Sequence, residues 1–349
     1  MLFLAAIAVL SLLIAYYVAK GSQPGQKSQI GETPAGPVAS PAFISPVSPL
    51  TFSSPVPTNS VVVRDVDLIQ TTADSGIRLY ESGDYQEALK TFNNVIDMDP
   101  GYPLGYDMRG TIYVALNDYE HALNDYNKAL ELDPTFAQAF YNRGRVYSLL
   151  KKYDQALSDL QQSIKHDAAH FGYRANGNIG LIYYQQGQYQ KALDAFAAST
   201  AYDSSKADVF YLRGETYTAL GNYEAAVTDY QSAVSRYPQY DSAYQSLGYA
   251  YYKLAQYDKA VEALKQAQNI SPTGAVAHLY LALVYVATDK LDSSTAEISG
   301  AATTFSALSP EDQKFIYNRV AADLKTWGQQ NPDKATEVDS IIARLPQPQ

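Results

Sequence analysis

The chain has 349 residues, a formal net charge of −10 and no cysteine. Disulfides, thiolate metal centres and lipid attachment through a cysteine are therefore excluded. The acidic balance argues against a general nucleic-acid binder, which carries a basic patch.

The first element is Leu2–Ala19, an uncharged apolar run broken only by Ser11 and two tyrosines. As a helix it would be about 27 Å long, close to the hydrocarbon thickness of a bilayer. Residues 1–20 are therefore read as a transmembrane anchor. A cleaved signal peptide is the alternative, but nothing basic precedes the run and Tyr17 stands where a small residue is wanted. Residues 21–63 hold eight of the 17 prolines among Ser, Thr, Gly and Val. Such a segment buries too little apolar surface to order itself and is read as a disordered linker. As a flexible coil its ends would lie about 35–40 Å apart. Lys20 and Lys27 bias the following chain weakly toward the cytoplasm, whereas Ser/Thr/Pro-rich segments are common in external stalks. The expectation is a single-pass membrane protein with an extracytoplasmic folded domain.

The folded domain begins near Arg64. Its grammar is clearest at 105–134. Tyr106, Gly110 and Tyr113 fall on one face of a first helix. Asn117-Asp118 interrupts the pattern, a second helix presents Tyr119, Ala122, Tyr126 and Ala129, and Pro134 stops it. Gly110 and Ala122 let the two backbones approach closely. The same order recurs. The small residue of the first helix is Gly76, Gly110, Gly144, Gly180, Gly214, Gly248 and Ala282. The steps are 34 residues, except 36 between Gly144 and Gly180. Nine residues after each small residue stands Tyr, or Leu291 in the last unit, and twelve after stands Ala, or Ser294.

This period and order resemble the tetratricopeptide repeat family. The resemblance covers the units 69–102, 103–136, 137–172, 173–206, 207–240, 241–274 and 275–308. It implies an all-α fold, a right-handed α-solenoid of about seven helix hairpins within 64–308. It also implies a protein-interaction scaffold that binds a peptide or partner protein in its concave groove. Each unit is numbered here so that its glycine is position 8. In the family, positions 2, 5, 9 and 12 of the first helix line the groove. Carried over, these are Tyr80, Asp107, Tyr141, Arg145, Arg174, Tyr184, Asp208, Tyr211, Glu215, Tyr249 and Tyr252. Tyrosine offers a large apolar face and a hydroxyl at low entropic cost. The alternative reading is an envelope component that binds polysaccharide during export, since tyrosines also stack on sugars. The Lys–Asn carboxylate clamp of some relatives, at positions 5 and 9, is missing from every unit. Position 11 (Tyr113, Tyr217) is expected to pack between helices.

Comparing the units predicts one specific contact. Arg109, Arg143 and Arg213 at position 7 coincide with Asp125, Asp159 and Asp229 at position 23. Units with Ile179 or Leu247 at position 7 have Ala195 or Ala263 at position 23. Charges that appear and vanish together predict three ion pairs within hairpins. The preceding unit offers Arg109 only Thr91 at position 23.

The 36-residue step places two extra residues at His166–Tyr173 without a proline, where a shift of solenoid pitch or a loop is expected. His166 and His170 share the i, i+4 spacing of a zincin helix, but Asp167 replaces the glutamate base and no third ligand is indicated. No metal or cofactor is expected. With no phosphate loop, dinucleotide fingerprint or nucleophile elbow, no enzyme is expected either. Ser309-Pro310-Glu311-Asp312 reads as a helix start. Ile316, Val320, Leu324 and Trp327 follow on one face. A second helix after Pro332 presents Val338, Ile341 and Leu345. Residues 309–349 lie outside the 34-residue register and are expected to cap the solenoid end.

Overall fold

A computed structural model describes residues 66–349. The expected anchor at 1–20 and linker at 21–63 lie outside the described residues. Among the described residues no helix is long and apolar enough to cross a membrane.

The described chain is entirely helical. From Val66 on, helices follow one another two by two along the chain. They are α1 (Val66–Glu81) with α2 (Tyr85–Met98), α3 (Pro103–Ala115) with α4 (Tyr119–Leu132), and α5 (Ala137–Leu149) with α6 (Tyr153–His166). Then come α7 (Ala168–Gln185) with α8 (Tyr189–Tyr202), α9 (Ala207–Ala219) with α10 (Tyr223–Arg236), α11 (Asp241–Lys253) with α12 (Tyr257–Ile270), and α13 (Ala275–Ala287) with α14 (Leu291–Ala302). A 3₁₀ turn (Phe305–Ala307), α15 (Pro310–Gln330), a second 3₁₀ turn (Pro332–Lys334) and α16 (Ala335–Ala343) complete the chain. The helices form two compact units. One ends at Ile182 and the other is Tyr183–Gln349. Each is an all-helical solenoid segment in which a second helix packs on its own first helix and on the next one.

The turn inside every pair has one solution. The residue at position 15 is left-handed in all seven: Gly83, Asn117, Lys151, Gly187, Gly221, Ala255 and Asp289. The next residue starts the second helix, and Asp84, Asp118 and Asn222 there accept a hydrogen bond from the backbone N–H three residues on. Ala255 (φ 54°) carries a Cβ where glycine is favoured. Ala255→Gly is expected to stabilise the protein by roughly 0.5–1 kcal/mol, read from the denaturant midpoint.

The small residue at position 8 works as the sequence suggested. A Cβ on Gly214 would lie 2.6 Å from the Tyr230 ring. The aromatic that fills this space is at position 24. Phe92, Tyr126 and Tyr230 there are 0–1 % exposed, as is the aliphatic Leu160. Tyr113 and Tyr217 at position 11 are only half-buried. The deepest aromatic is therefore on the second helix, because that side chain reaches across to the glycine.

The three ion pairs are present. Arg109 Nε and Nη2 donate to the two Asp125 oxygens at 2.8 and 2.7 Å. Arg143 grips Asp159 at 2.7 and 2.8 Å, and Arg213 grips Asp229 at 2.7 and 2.6 Å. The carboxylate side chains are 4–8 % exposed and the guanidiniums 19–21 %. Two of the arginines also reach the preceding pair. Arg109 Nη1 donates to Asn93 Oδ1 at 2.8 Å, and Arg143 Nη1 to Asn127 Oδ1 at 2.7 Å. Asn93 sits two residues beyond Thr91. Arg213 has Ala197 at the equivalent place.

The two extra residues near 166–173 form neither loop nor wide turn. Only Asp167 separates α6 from α7. Elsewhere four residues separate a second helix from the next first helix, and α7 has 18 residues where the later first helices have 13. Without a proline the chain turns straight back into helix. Asp167 caps it, accepting from the His170 N–H at 3.1 Å.

Candidate functional site

Side chains of the first helices behave differently by position. Position 5 is interior. Tyr141 is 0 % exposed, its ring 5.4 Å from Phe171 and its hydroxyl accepting from Asn178 Nδ2 at 3.3 Å. Tyr211 is buried between the Tyr230 and Tyr240 rings, at 6.0 and 5.1 Å. Asp107 is 0 % exposed. These residues pack one first helix on the next and are not open to a ligand. Arg145 is also buried, over the Tyr141 ring at 5.7 Å. Asp208 is buried and accepts from the Val209 N–H. Tyr80, Arg174, Tyr184, Glu215 and Tyr252 are half-buried.

Asp107 is a polar centre inside the first unit. It accepts from Gln138 Nε2 at 2.7 Å and from Asn142 Nδ2 at 3.0 Å. Burial pushes its carboxyl up to about 7, against the opposing pull of the Asn142 and Gln138 hydrogen bonds. A carboxyl raised on folding contributes stability that is fully present below its unfolded value near 3.8 and is lost as pH rises through about 7. Asp107→Asn should therefore stabilise the protein at pH 8, by roughly 1–3 kcal/mol, and give no gain at pH 4. Melting curves of both proteins at the two pH values check this.

The second unit holds the richer site. Tyr249 at position 9 of α11 lies 4.8 Å from the Tyr280 ring of α13, 6.1 Å from Tyr252 and 6.5 Å from Tyr223. The Lys253 ammonium stands about 6 Å from the rings of Tyr223, Tyr249 and Tyr252. One pair back, Glu215 on α9 accepts from the Tyr230 hydroxyl at 2.6 Å and from Ser246 Oγ at 2.7 Å. Burial raises the Tyr249 phenol far above its ordinary value, so it stays a neutral donor.

This cluster is occupied by the chain itself. Ser309 caps α15, accepting from the Asp312 N–H at 3.1 Å. The buried face of α15, Ile316, Val320 and Leu324, belongs to a helix packed on α13. Its polar edge does more than cover a solenoid end, because it reaches back to α11. Asp323 accepts from the Tyr249 hydroxyl at 3.0 Å and from Lys253 Nζ at 2.9 Å. Arg319 Nη1 donates to the Tyr280 hydroxyl at 2.9 Å. The Arg319 guanidinium lies 4.7 Å above the Tyr249 ring and 4.3 Å above that of Phe315. Phe315, Arg319 and Asp323 are one turn apart, on one stripe of α15. Lys334, beyond α15, pairs with Asp289 at 3.1 Å. Sequence reasoning found Tyr249, Tyr252 and Glu215 but missed Lys253, Tyr280, Arg319 and Asp323. The last two lie outside the repeats, well beyond the end of α11 in the chain.

Among the described residues no three His, Asp or Glu side chains gather to hold a metal ion. His166 stacks on Phe140 at 5.7 Å and His170 bonds Asp167, so the two rings are engaged separately.

Comparison with known proteins agrees on the repeat. Family profiles described as TPR repeat or tetratricopeptide repeat match residues 110–151, 137–169, 178–241 and 217–282. No curated protein matches the chain. Among solved structures the chain is similar to Pseudomonas aeruginosa pilF, with TM-score 0.56, 17 % identity, 62 % of this chain and 98 % of that one. It is similar to the C-terminal part of a TPR repeat-containing protein from Cytophaga hutchinsonii, with TM-score 0.55, 18 % identity, 69 % of this chain and 98 % of that one. It is also similar to the structure of the APC/C hetero-tetramer Cut9–Hcn1, with TM-score 0.53 and 20 % identity. That match covers 74 % of this chain and 52 % of the other, so the chain spans about half the length of that relative. At these identities the likeness is one of fold.

Proposed function

We infer, from a chain that matches tetratricopeptide repeat profiles over 110–169 and 178–282, that it is a protein-interaction scaffold. Its partner-binding surface is the first-helix face of the second unit, around Tyr184, Glu215, Tyr249, Tyr252 and Lys253. One observation carries this reading. That face already holds a polypeptide segment, α15, by an acid on Lys253 and Tyr249 and a guanidinium on a tyrosine ring. Aromatic anchors with a few placed charges are the usual composition of a protein-binding hot spot. The sugar-binding reading loses its main support here. Tyr249 and Tyr280 are buried against each other beneath α15, their rings tilted, and offer no open ring face. The apolar segment 1–20 and the linker 21–63 complete the proposal as a membrane tether for an extracytoplasmic domain. Protease added to intact cells should remove the repeats, and protection until lysis would reverse that orientation.

A photocrosslinking residue tests the surface. Placed at Tyr252 it should capture a protein partner. Placed at Glu262, exposed on α12, it should not. Capture only from Glu262, or from neither position, would refute the assignment.

A further inference from the structure

The contacts of α15 also specify what kind of partner fits. We propose that the first-helix face of the second unit receives an amphipathic helix of a partner protein. That helix carries an aromatic residue, an arginine and an acid at i, i+4 and i+8, and α15 is its built-in competitor. The inference rests on the protein-interaction reading above and deepens it.

The receiving residues impose the pattern. Lys253 projects a cation among three tyrosine rings, and its salt-bridge partner is Asp323, at 2.9 Å. The Asp323 side chain is 13 % exposed and that of Lys253 27 %. An occupant without an acid would leave this cation half-buried and unpaired, which is costly. Four residues earlier, the occupant meets the face of Tyr249 and the hydroxyl of Tyr280, with the negative Glu215 nearby. A planar guanidinium satisfies all three, by cation–π contact, hydrogen bond and charge. Four residues earlier again, an aromatic side chain covers the guanidinium's other side, as Phe315 does. The 5.4 Å helical pitch sets this spacing, so an extended peptide would not place the groups together.

The same contacts make α15 displaceable. Among the described residues no carboxylate lies within ion-pair distance of Arg319, which has one direct hydrogen bond, to Tyr280. Removing a guanidinium from water for one neutral hydrogen bond, ring contacts and a Glu215 charge beyond ion-pair distance brings little net stability. Arg319 therefore fixes where the helix docks more than how tightly, and the acid of Asp323 on Lys253 carries the affinity of the polar edge. A partner helix with the same stripe and better apolar contacts would replace it, subject to the high effective concentration of a tethered competitor.

The test uses the full chain in detergent and a fluorescein-labelled synthetic peptide of residues 310–330. In the chain, Arg319→Ala with Asp323→Ala weakens the tethered helix and leaves Tyr249, Tyr252, Tyr280 and Lys253 intact. This variant should bind the peptide at least tenfold more tightly than the unaltered chain. A peptide carrying the same two alanines should lose at least tenfold in affinity. Equal binding by both chains, or equal binding of both peptides, would overturn the proposal. So would an altered chain that dimerises while the peptide does not bind, since the occupant would then be a second copy of this chain. Should the double variant fold poorly, hydrogen exchange on the unaltered chain decides. The α15 amides should exchange well before those of α11 and α13, and exchange only with global unfolding would refute displacement. Partner capture at Tyr252 without peptide binding would leave the scaffold reading standing and remove this one.

Discussion

Tyr230→Ala is expected to lower the unfolding free energy by about 3–5 kcal/mol, the range for truncating a large buried aromatic. Tyr230 is 0 % exposed and its ring occupies the space left by Gly214. Its hydroxyl donates to Glu215 at 2.6 Å and lies 2.8 Å from Thr218 Oγ1. Truncation would open a cavity between α9 and α10 and leave Glu215 with Ser246 as its remaining hydroxyl donor. Tyr230→Phe keeps the ring and should cost only about 1 kcal/mol. Denaturant unfolding of the two variants separates packing from hydrogen bonding. Equal, small losses would mean that position 24 is not the centre of the hairpin.

The second large effect comes from the ion pairs. Asp229→Ala leaves Arg213 half-buried with no asparagine from the preceding pair, and is expected to cost about 2–4 kcal/mol. Asp159→Ala removes the same two hydrogen bonds, yet Arg143 keeps Asn127 at 2.7 Å. It should cost less, by about 1 kcal/mol. The ordering of the two variants is the informative result, because both arginines are about one-fifth exposed and grip their aspartates at nearly equal distances. Losses under 0.5 kcal/mol in both would place these pairs with ordinary surface ion pairs.

Contacts that repeat with the 34-residue period were legible in the sequence. The glycine–alanine combination recurs in six units, with Ala282 and Ser294 in the seventh, and the Arg–Asp pairs appear and vanish together. A covarying pair inside one chain can be recognised without other sequences. What a single hairpin could not show was the third neighbour. A first helix touches its own second helix, the preceding second helix and adjacent first helices. Carrying the family's groove positions over one hairpin at a time therefore put Tyr141 and Tyr211 on a groove, whereas the next first helix covers them. The same omission hid Asn93, whose partner Arg109 lies in the following pair. At 166–173 the change of period read as a shift of solenoid pitch or a loop. Without a proline to stop it, the backbone satisfied its own hydrogen bonds by adding helix to α7. The role of α15 was the least legible. Its cap and apolar stripe were readable, and they predicted a covering helix. That Arg319 and Asp323 would reach Tyr249 and Lys253 depends on where a helix outside the register lands.

That landing is the central claim, and a cysteine-free chain makes it directly testable. Lys253→Cys and Asp323→Cys replace the two ends of the contact between α11 and α15. Treated with a short bis-maleimide, the full chain should form an intramolecular crosslink, seen as a linked peptide pair in the monomer band. A chain with Glu262→Cys in place of Lys253→Cys should not. Absence of the 253–323 link, or its appearance only between two chains, would contradict a first-helix face occupied by its own C-terminal helix.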